Sequence, residues 1–160
     1  MAVLTTAGRI AMAVAIKARP LFLAWGTGSP DWDEAPINES LEATALTQEV
    51  GRVAVSVSGY AVPDPVGIIE VPTGKFSLSE TPTNHLYLRF DYGFADAADQ
   101  VIREAGLFID TEIVSGLPAG QRYFTPAEVV TPGSLVALEH FPGVVRSPLV
   151  RQQFEFVLTI

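Results

Sequence analysis

The stretch LYLRFD at residues 86–91 carries the pattern that decides the fold. Leu86, Leu88 and Phe90 occupy every second position and alternate with Tyr87, Arg89 and Asp91. Successive side chains of a β-strand point to opposite faces of the sheet, so this period of two is typical of a half-buried strand. The stretch therefore predicts a strand with its apolar residues turned to a core.

The same period recurs on both sides of that stretch, in VAVSVS at residues 53–58 and in FEFVLTI at residues 154–160. Further strand candidates lie at residues 21–25, 67–71, 101–109 and 135–139. Turns rich in Pro and Gly separate them, at residues 63–65, 118–120 and 142–143. Because helical crossovers are missing between consecutive strands, an antiparallel sheet or sandwich is favoured over a parallel sheet. Ile160 is in phase with its strand, which indicates that this strand is held in the sheet.

Helices are predicted at two places. Thr5 and Thr6 are candidate N-caps of an alanine-rich helix that Pro20 ends. One side of this helix has helical spacing and consists of Ile10, Ala13, Val14 and Lys17. The helix is apolar around most of its circumference, so it needs cover on more than one side. A second short helix is predicted from Asn38 or Ser40 to near Gly51, with Leu41, Ala45 and Leu46 on one face.

The predicted fold class is α+β, mainly β, with an antiparallel sheet or sandwich and an N-terminal helix. No internal repeat or long linker divides the sequence. We therefore expect a single domain over residues 1–160, in which residues 1–36 form an arm of helix, strand and loop and residues 37–160 form a β-rich body.

Charge and composition exclude several classes of partner. The chain has 18 acidic and 10 basic residues and a formal net charge of −8, and its basic residues are scattered, so nucleic acid and anionic membrane are not expected partners. The longest apolar run, residues 10–16, is far shorter than the roughly 20 residues that cross a bilayer. With no cysteine there are no disulfides and no thiolate sites.

No motif predicts a cofactor or metal. Asp31, Asp33 and Glu34 could supply oxygen ligands, but their spacing matches no complete calcium loop, so a solvated turn is the preferred interpretation. The segment Gly26-Thr27-Gly28 does not lead directly into a helix, as a dinucleotide-binding loop requires.

Catalytic residues are equally unsupported. His85 and His140 each stand alone at a predicted strand end, and we expect them at the surface or at an interface. A carboxylate pair for glycoside hydrolysis would come from Glu104, Glu112, Glu128 and Glu139, each of which is more simply a polar strand or turn residue. We expect no enzymatic activity.

A charged pair, Arg103-Glu104, interrupts the apolar run at residues 101–109. One member of the pair is predicted to be buried, and a buried glutamate needs a partner. The candidate partners are Arg52, Arg89 and Arg103. Gly106 in the same run indicates a bulge or a close backbone approach.

Four segments in order carry a family resemblance: LTTAGR at residues 4–9, AWGTG at 24–28, ALTQEVGR at 45–52 and IREAGLF at 102–108. In this order they resemble the N-terminal, baseplate-attaching domain of phage tail-collar fibre proteins. The resemblance covers residues 4–109. Beyond it the sequence continues with strands instead of a repetitive fibre shaft, which favours an adaptor or baseplate role over sugar recognition.

The resemblance implies a virion structural protein of the tail or baseplate that links the baseplate to a tail fibre. Members of that family assemble as homo-oligomers, commonly trimers, so the implied partners are copies of the chain and other tail proteins. The implied location is the virion, with assembly in the host cytoplasm.

Apolar and aromatic residues are the candidates for subunit contacts. The predicted interface residues are Ile10, Val14, Trp25, Trp32, Phe154 and Phe156, and the edge of the strand at residues 154–160 offers pairing to a neighbouring copy. The alternative function is a carbohydrate-binding or receptor-binding module, in which exposed Trp32, Tyr60 and Tyr123 would stack on sugars.

Overall fold

The computed structural model describes residues 1–160 as one α-helix, twelve strands and two short 3-10 turns. In chain order the helix and strands are α1 Thr6–Lys17, β1 Leu21–Gly26, β2 Glu49–Ala54, β3 Val57–Pro63, β4 Ile69–Val71, β5 Gly74–Ser79, β6 His85–Tyr92, β7 Val101–Ile109, β8 Glu112–Ile113, β9 Tyr123–Phe124, β10 Val129–Thr131, β11 Ser134–Val145 and β12 Gln152–Thr159. The 3-10 turns are Pro30–Asp33 and Pro126–Glu128. The pairs β1-β2, β1-β7, β7-β11, β3-β5 and β3-β6 are all antiparallel, so the predicted mainly β class with an N-terminal helix is confirmed.

The chain divides into two compact units. Unit 1 comprises residues 1–19, 55–90 and 153–160, and unit 2 comprises residues 20–54 and 91–152. The single domain with an arm over residues 1–36 stays a prediction.

Helix α1 begins as the sequence predicts. Thr5 is the N-cap, and its Oγ1 accepts a hydrogen bond from the Gly8 N–H at 3.1 Å, which satisfies one of the free donors of the first turn. The helix ends at Lys17 with Ala18 as C-cap, shortly before Pro20. No helix of the chain combines the length and apolar character needed to cross a bilayer.

The predicted second helix is wrong. Residues 38–48 form turns and irregular backbone, and residues 49–54 are strand β2. The N–H groups of Thr47 and Gln48 donate to the Glu104 carboxylate, and Leu46 packs against Ala24 and Phe108. Tertiary contacts thus outweigh the helical pattern, because they use the N–H groups that a helix would need for its own ladder.

Unit 1 is built on a five-stranded sheet in the order β12-β6-β3-β5-β4. Leu86, Leu88 and Phe90 of β6 are each 0% exposed, so the inward face predicted for this strand is confirmed. A second cluster lies on Ala61, Phe76 and neighbouring apolar residues.

The burial of side chains in strand β12 does not follow the alternation seen in its sequence. Val157 is the buried residue of this strand, while Phe154 and Phe156 are half-buried. The end of the strand is held in the sheet as predicted, because the Ile160 N–H donates to the Asn84 carbonyl at 3.0 Å and the Asn84 amide donates to the Ile160 carbonyl.

Unit 2 contains a five-stranded sheet in the order β11-β7-β1-β2-β9 and a separate two-stranded ribbon, β10-β8. All six residues of β1 are buried, and β7 has the bounds predicted from sequence. The predicted turn at residues 142–143 is wrong, because these residues lie inside β11, where the pairing register shifts between His140 and Val144. The extra residues form a bulge and the strand continues.

Candidate subunit-contact surfaces

The outward side of α1 is the first candidate surface. Leu4, Ala7, Ala11, Val14 and Ala18 are all exposed. Ala7, Ala11 and Val14 lie within α1 at spacings of four and three residues, which places them on one side of the helix, and Leu4 and Ala18 flank its two ends. The side they form contains no charged residue, so it is an apolar helix face left in contact with water.

The opposite side of α1 faces unit 1. Ala13 is fully buried, Ile10 and Lys17 are half-buried, and Lys17 Nζ lies 5.3 Å from the centre of the Tyr60 ring. The stripe predicted from sequence therefore turns inward except at Val14, which is 39% exposed. The sequence prediction does not include the outward face, although the repeat of small apolar residues at positions 4, 7, 11, 14 and 18 is a signal for it.

Strand β12 is the second candidate surface. It is the outermost strand of the unit 1 sheet and has only β6 as a strand neighbour. Phe154 and Phe156 are in edge contact with ring centres 6.0 Å apart, and Phe156 also stacks near Phe90 at 6.2 Å. Both rings keep part of their surface in solvent.

The expected exposure of the two tryptophans is wrong. Trp25 is 1% exposed and stacks on Tyr92 with ring centres 3.4 Å apart. Trp32 is 4% exposed, lies against Gly28 and stacks on His140 at 4.3 Å. Gly28 has a φ of 53° and no side chain, so the Trp32 indole can lie directly on the backbone there. Both rings are held inside unit 2.

The aromatic residues considered for sugar stacking are half-buried or buried. Tyr60 lies beneath the Lys17 ammonium group. The Tyr123 hydroxyl donates to the Val50 carbonyl at 3.0 Å, and burial raises the pKa of this hydroxyl to about 12. With Trp32 inside unit 2, the three rings do not form an exposed stacking platform.

Both members of the Arg103-Glu104 pair are buried, at 8% and 0% exposure. The expected arginine partner of Glu104 is wrong. Its two carboxylate oxygens accept hydrogen bonds from the N–H groups of Thr47 at 2.9 Å and Gln48 at 2.8 Å, and His140 Nε2 lies 4.0 Å away. Backbone donors thus satisfy the buried carboxylate.

The arginines have other partners. Arg103 makes two hydrogen bonds to the Asp33 carboxylate, at 2.7 and 2.8 Å. Arg52 makes the same kind of paired contact with Glu49, at 2.8 and 2.7 Å. Two parallel bonds fix a guanidinium and a carboxylate in one plane, which is the geometry that arginine favours.

Asp33 is the one member of the predicted acidic cluster that contacts the sheet. Its Oδ1 also accepts from the Gly143 N–H at 2.8 Å. The hydrogen bond from Arg103 is the main cause that lowers the pKa of this carboxyl to about 2, with the Gly143 N–H next. No group of three or more His, Asp or Glu side chains is placed to hold a metal ion.

His140 is not a surface residue, contrary to expectation, since its side chain is 6% exposed. Its N–H donates to Glu39 Oε1 at 2.8 Å, and its Nδ1 lies 2.9 Å from the Ile37 carbonyl oxygen. These contacts belong to a long connection between β1 and β2, residues 27–48, which we call the strap. His85 lies in β6, where its Nδ1 is 2.8 Å from Thr159 Oγ1.

The bulge or close backbone approach predicted at Gly106 is wrong, because side chains lie against this residue. A Cβ atom at this position would lie 2.6 Å from Leu46 Cδ1 and 2.9 Å from Leu135 Cδ1. Gly106 keeps a regular pairing with Ala24 and Leu138 on either side. The glycine therefore makes room for the strap residue Leu46 on the face of the sheet.

The other candidate carboxylates have local partners. Glu112 accepts from the Thr131 hydroxyl, and Glu128 caps the second 3-10 turn by accepting from the Thr125 N–H at 2.8 Å. Partial burial raises the pKa of the Glu139 carboxyl, and the nearby Glu39 carboxylate adds to that shift. A shallow cavity of about 420 Å³ in unit 2 is lined by Glu49, Tyr123 and others but by none of these groups.

Comparison with known families identifies the class of protein. The sequence model of a family described as a baseplate wedge 3 tail fiber network component matches residues 1–160. The chain belongs to this family. No curated protein matches it. The resemblance to phage baseplate and tail-fibre proteins is thereby confirmed, and a baseplate component is part of the virion tail.

Proposed function

We propose that the chain is an adaptor of the phage baseplate that joins copies of itself and neighbouring tail proteins through exposed apolar surface. In this role it connects the baseplate wedge to the tail-fibre network and has no catalytic activity. Membership of a family of baseplate components supports both parts of the proposal. The adaptor assembles in the host cytoplasm and ends in the virion tail.

The observation that carries the proposal is the outward face of α1. Ala7, Ala11 and Val14 are exposed on this face with no charged residue among them, Val14 is 39% exposed, and Leu4 just before the N-cap is 47% exposed. Small residues on one side of a helix allow another helix to approach closely, so burial of this face gains dispersion contacts as well as removing apolar surface from water. The half-buried Phe154 and Phe156 on the outer strand β12 offer a second contact of the same chemistry.

The mass of the purified chain tests the self-contact. We expect light scattering after size exclusion to give a multiple of 17.1 kDa for the wild type. Val14→Asp places a charge in the α1 face and should lower the association constant at least tenfold, since burial of an unpaired charge opposes assembly. Val66→Asp is the matched control, because Val66 is 87% exposed in unit 1 and lies far along the sequence from α1. A wild type that remains a monomer at high micromolar concentration contradicts the self-contact.

Contacts with neighbouring tail proteins need a separate measurement. Co-expression with the baseplate wedge and fibre proteins of the same phage should give a complex that survives size exclusion. Val14→Asp and Phe156→Glu, examined one at a time, then show which of the two surfaces the neighbour occupies. Failure of every wedge and fibre protein to bind would remove the adaptor role.

A further inference from the structure

The strap lies across one face of the unit 2 sheet and folds over the outer edge of β11. On the face, Leu46 packs over Gly106 and the N–H groups of Thr47 and Gln48 donate to Glu104. At the edge, the N–H groups of His140 and Gly143 donate to strap carboxylates, Glu39 and Asp33, each at 2.8 Å. Strand β11 has β7 as its only strand neighbour, so the strap occupies the side on which another strand would pair.

We propose that the strap is a releasable cover of the β11 edge, and that its release allows this edge to pair with β11 of a second copy. The inference rests on the proposed function in one respect, that copies of the chain associate, and it adds a contact site separate from α1. The covered state keeps the edge from pairing before the neighbouring copy is in place.

The ends of the strap are anchored differently from its middle, so the middle can leave the β11 edge while the ends stay in place. Its two ends are tied to each other, since the Thr27 N–H donates to the Gln48 carbonyl at 2.9 Å, and Glu104 holds the adjacent N–H groups. Its middle has only one short 3-10 turn, and Ile37 and Leu41 there are 57% and 101% exposed.

The middle of the strap is held by the Asp33 and Glu39 carboxylates and by ring contact of Trp32 with His140. The two carboxylates supply its hydrogen bonds to the β11 backbone, whereas the base of the strap is held by Glu104. Loss of the two carboxylates therefore removes the hydrogen bonds to the β11 backbone and loosens the middle, which the Trp32 ring and the Ile37 carbonyl still hold against His140, and it leaves the base in place.

A second copy is the occupant that the strand itself favours. The sequence of β11, SLVALEHFPGVV, contains one acidic residue and no lysine or arginine, although the chain as a whole has a net charge of −8. Two copies of this strand therefore approach with little repulsion along the edge. Antiparallel pairing of a strand with its own copy is self-complementary about a twofold axis and continues the antiparallel order of the sheet.

Removal of the two carboxylates tests the release. In Asp33→Ala/Glu39→Ala we expect hydrogen exchange of the His140 and Gly143 amides to accelerate at least tenfold. Asp31→Ala/Glu42→Ala is the matched control, because it removes the same two charges from the same segment, and neither side chain bonds to β7 or β11. Gly143→Ala disturbs the Asp33 contact without a change in charge, since its Cβ would lie 2.5 Å from Asp33 Oδ1, and this Cβ would also lie 2.6 Å from Val101 Cγ1 of β7.

A cysteine reporter tests the pairing. The chain has no cysteine, so Glu139→Cys introduces a single thiol at an exposed position of β11. We add this substitution to the strap-released variants and to the control double variant and oxidise each mildly. The yield of disulfide-linked dimer should be at least fivefold higher in the released variants. Glu80→Cys, an exposed site in unit 1, should give the same low yield in all backgrounds.

Four results decide between these outcomes. Unchanged exchange at the His140 amide in both released variants overturns the strap as a cover. If exchange is fast but the Glu139→Cys reporter forms no disulfide-linked dimer, a second copy is not what pairs with the uncovered β11 edge. If the disulfide-linked dimer still forms when Val14→Asp is also present, the β11 contact is supported independently of the α1 contact. Loss of association only in Val14→Asp supports the proposed function alone and counts against the β11 contact.

Discussion

Asp33 is a partly exposed carboxylate of the strap that contacts the sheet, and its protonation is tied to the Arg103 guanidinium. The Arg103 hydrogen bonds lower the pKa of this carboxyl from 3.8 to about 2. A carboxyl with a depressed pKa in the folded state stabilises that state above its unfolded pKa, and the contribution is lost as the pH falls through the folded pKa. The loss therefore occurs between about pH 4 and pH 2. We expect Asp33→Asn to flatten the stability profile in this window, and Asp31→Asn to leave it unchanged, in urea unfolding followed by fluorescence.

Single residues also show where sequence reasoning stops. The sequence identifies Glu104 as a charge inside an apolar strand, but its partners are N–H groups of residues 47 and 48, which no residue type specifies. Trp32 lies in a loop, where an exposed side chain is the usual expectation. Its indole instead packs on the Gly28 backbone and is covered by the His140 ring. The burial of both residues depends on tertiary placement, which their local sequence does not contain.

Helix α1 depends on its cap more than on its burial, since Ala13 is its only buried residue. Thr5→Ala removes the acceptor of the Gly8 N–H, and caps of this kind contribute about 1 kcal/mol. We expect faster hydrogen exchange in the first turn of α1 and weaker self-association, because the outward face loses its rigid spacing. Thr6→Ala, one residue further and inside the helix, is the control and should leave both measurements unchanged. Equal effects of the two substitutions would contradict the role of the cap.

The elements with strong periodicity are predictable from sequence. Strand β7 has its predicted bounds, β1 extends the prediction by one residue, and α1 begins after its predicted cap. The failures lie where tertiary contacts replace a local ladder, as in residues 38–48, or where a bulge carries a strand through a Pro-Gly pair, as in β11. Periodicity reports which residues could share a face, and the strap shows that a helical pattern can be overruled by contacts from distant strands.

At the scale of the whole molecule, charge and apolar surface act in opposite directions on assembly. Each copy has a net charge of −8, so copies repel one another, while the α1 face that we propose for their contact has no charge. Salt shortens the range of repulsion, from a Debye length of about 10 Å at 0.1 M to about 3 Å at 1 M. We therefore expect the association constant of the wild type to rise several-fold between 0.05 M and 0.5 M NaCl, as measured by sedimentation equilibrium. Val66→Lys makes the chain less negative at a position away from α1. It should raise the association constant at low salt and reduce its dependence on salt. Dissociation by added salt would show instead that ion pairs hold the copies together, and the apolar helix face would then not be their contact.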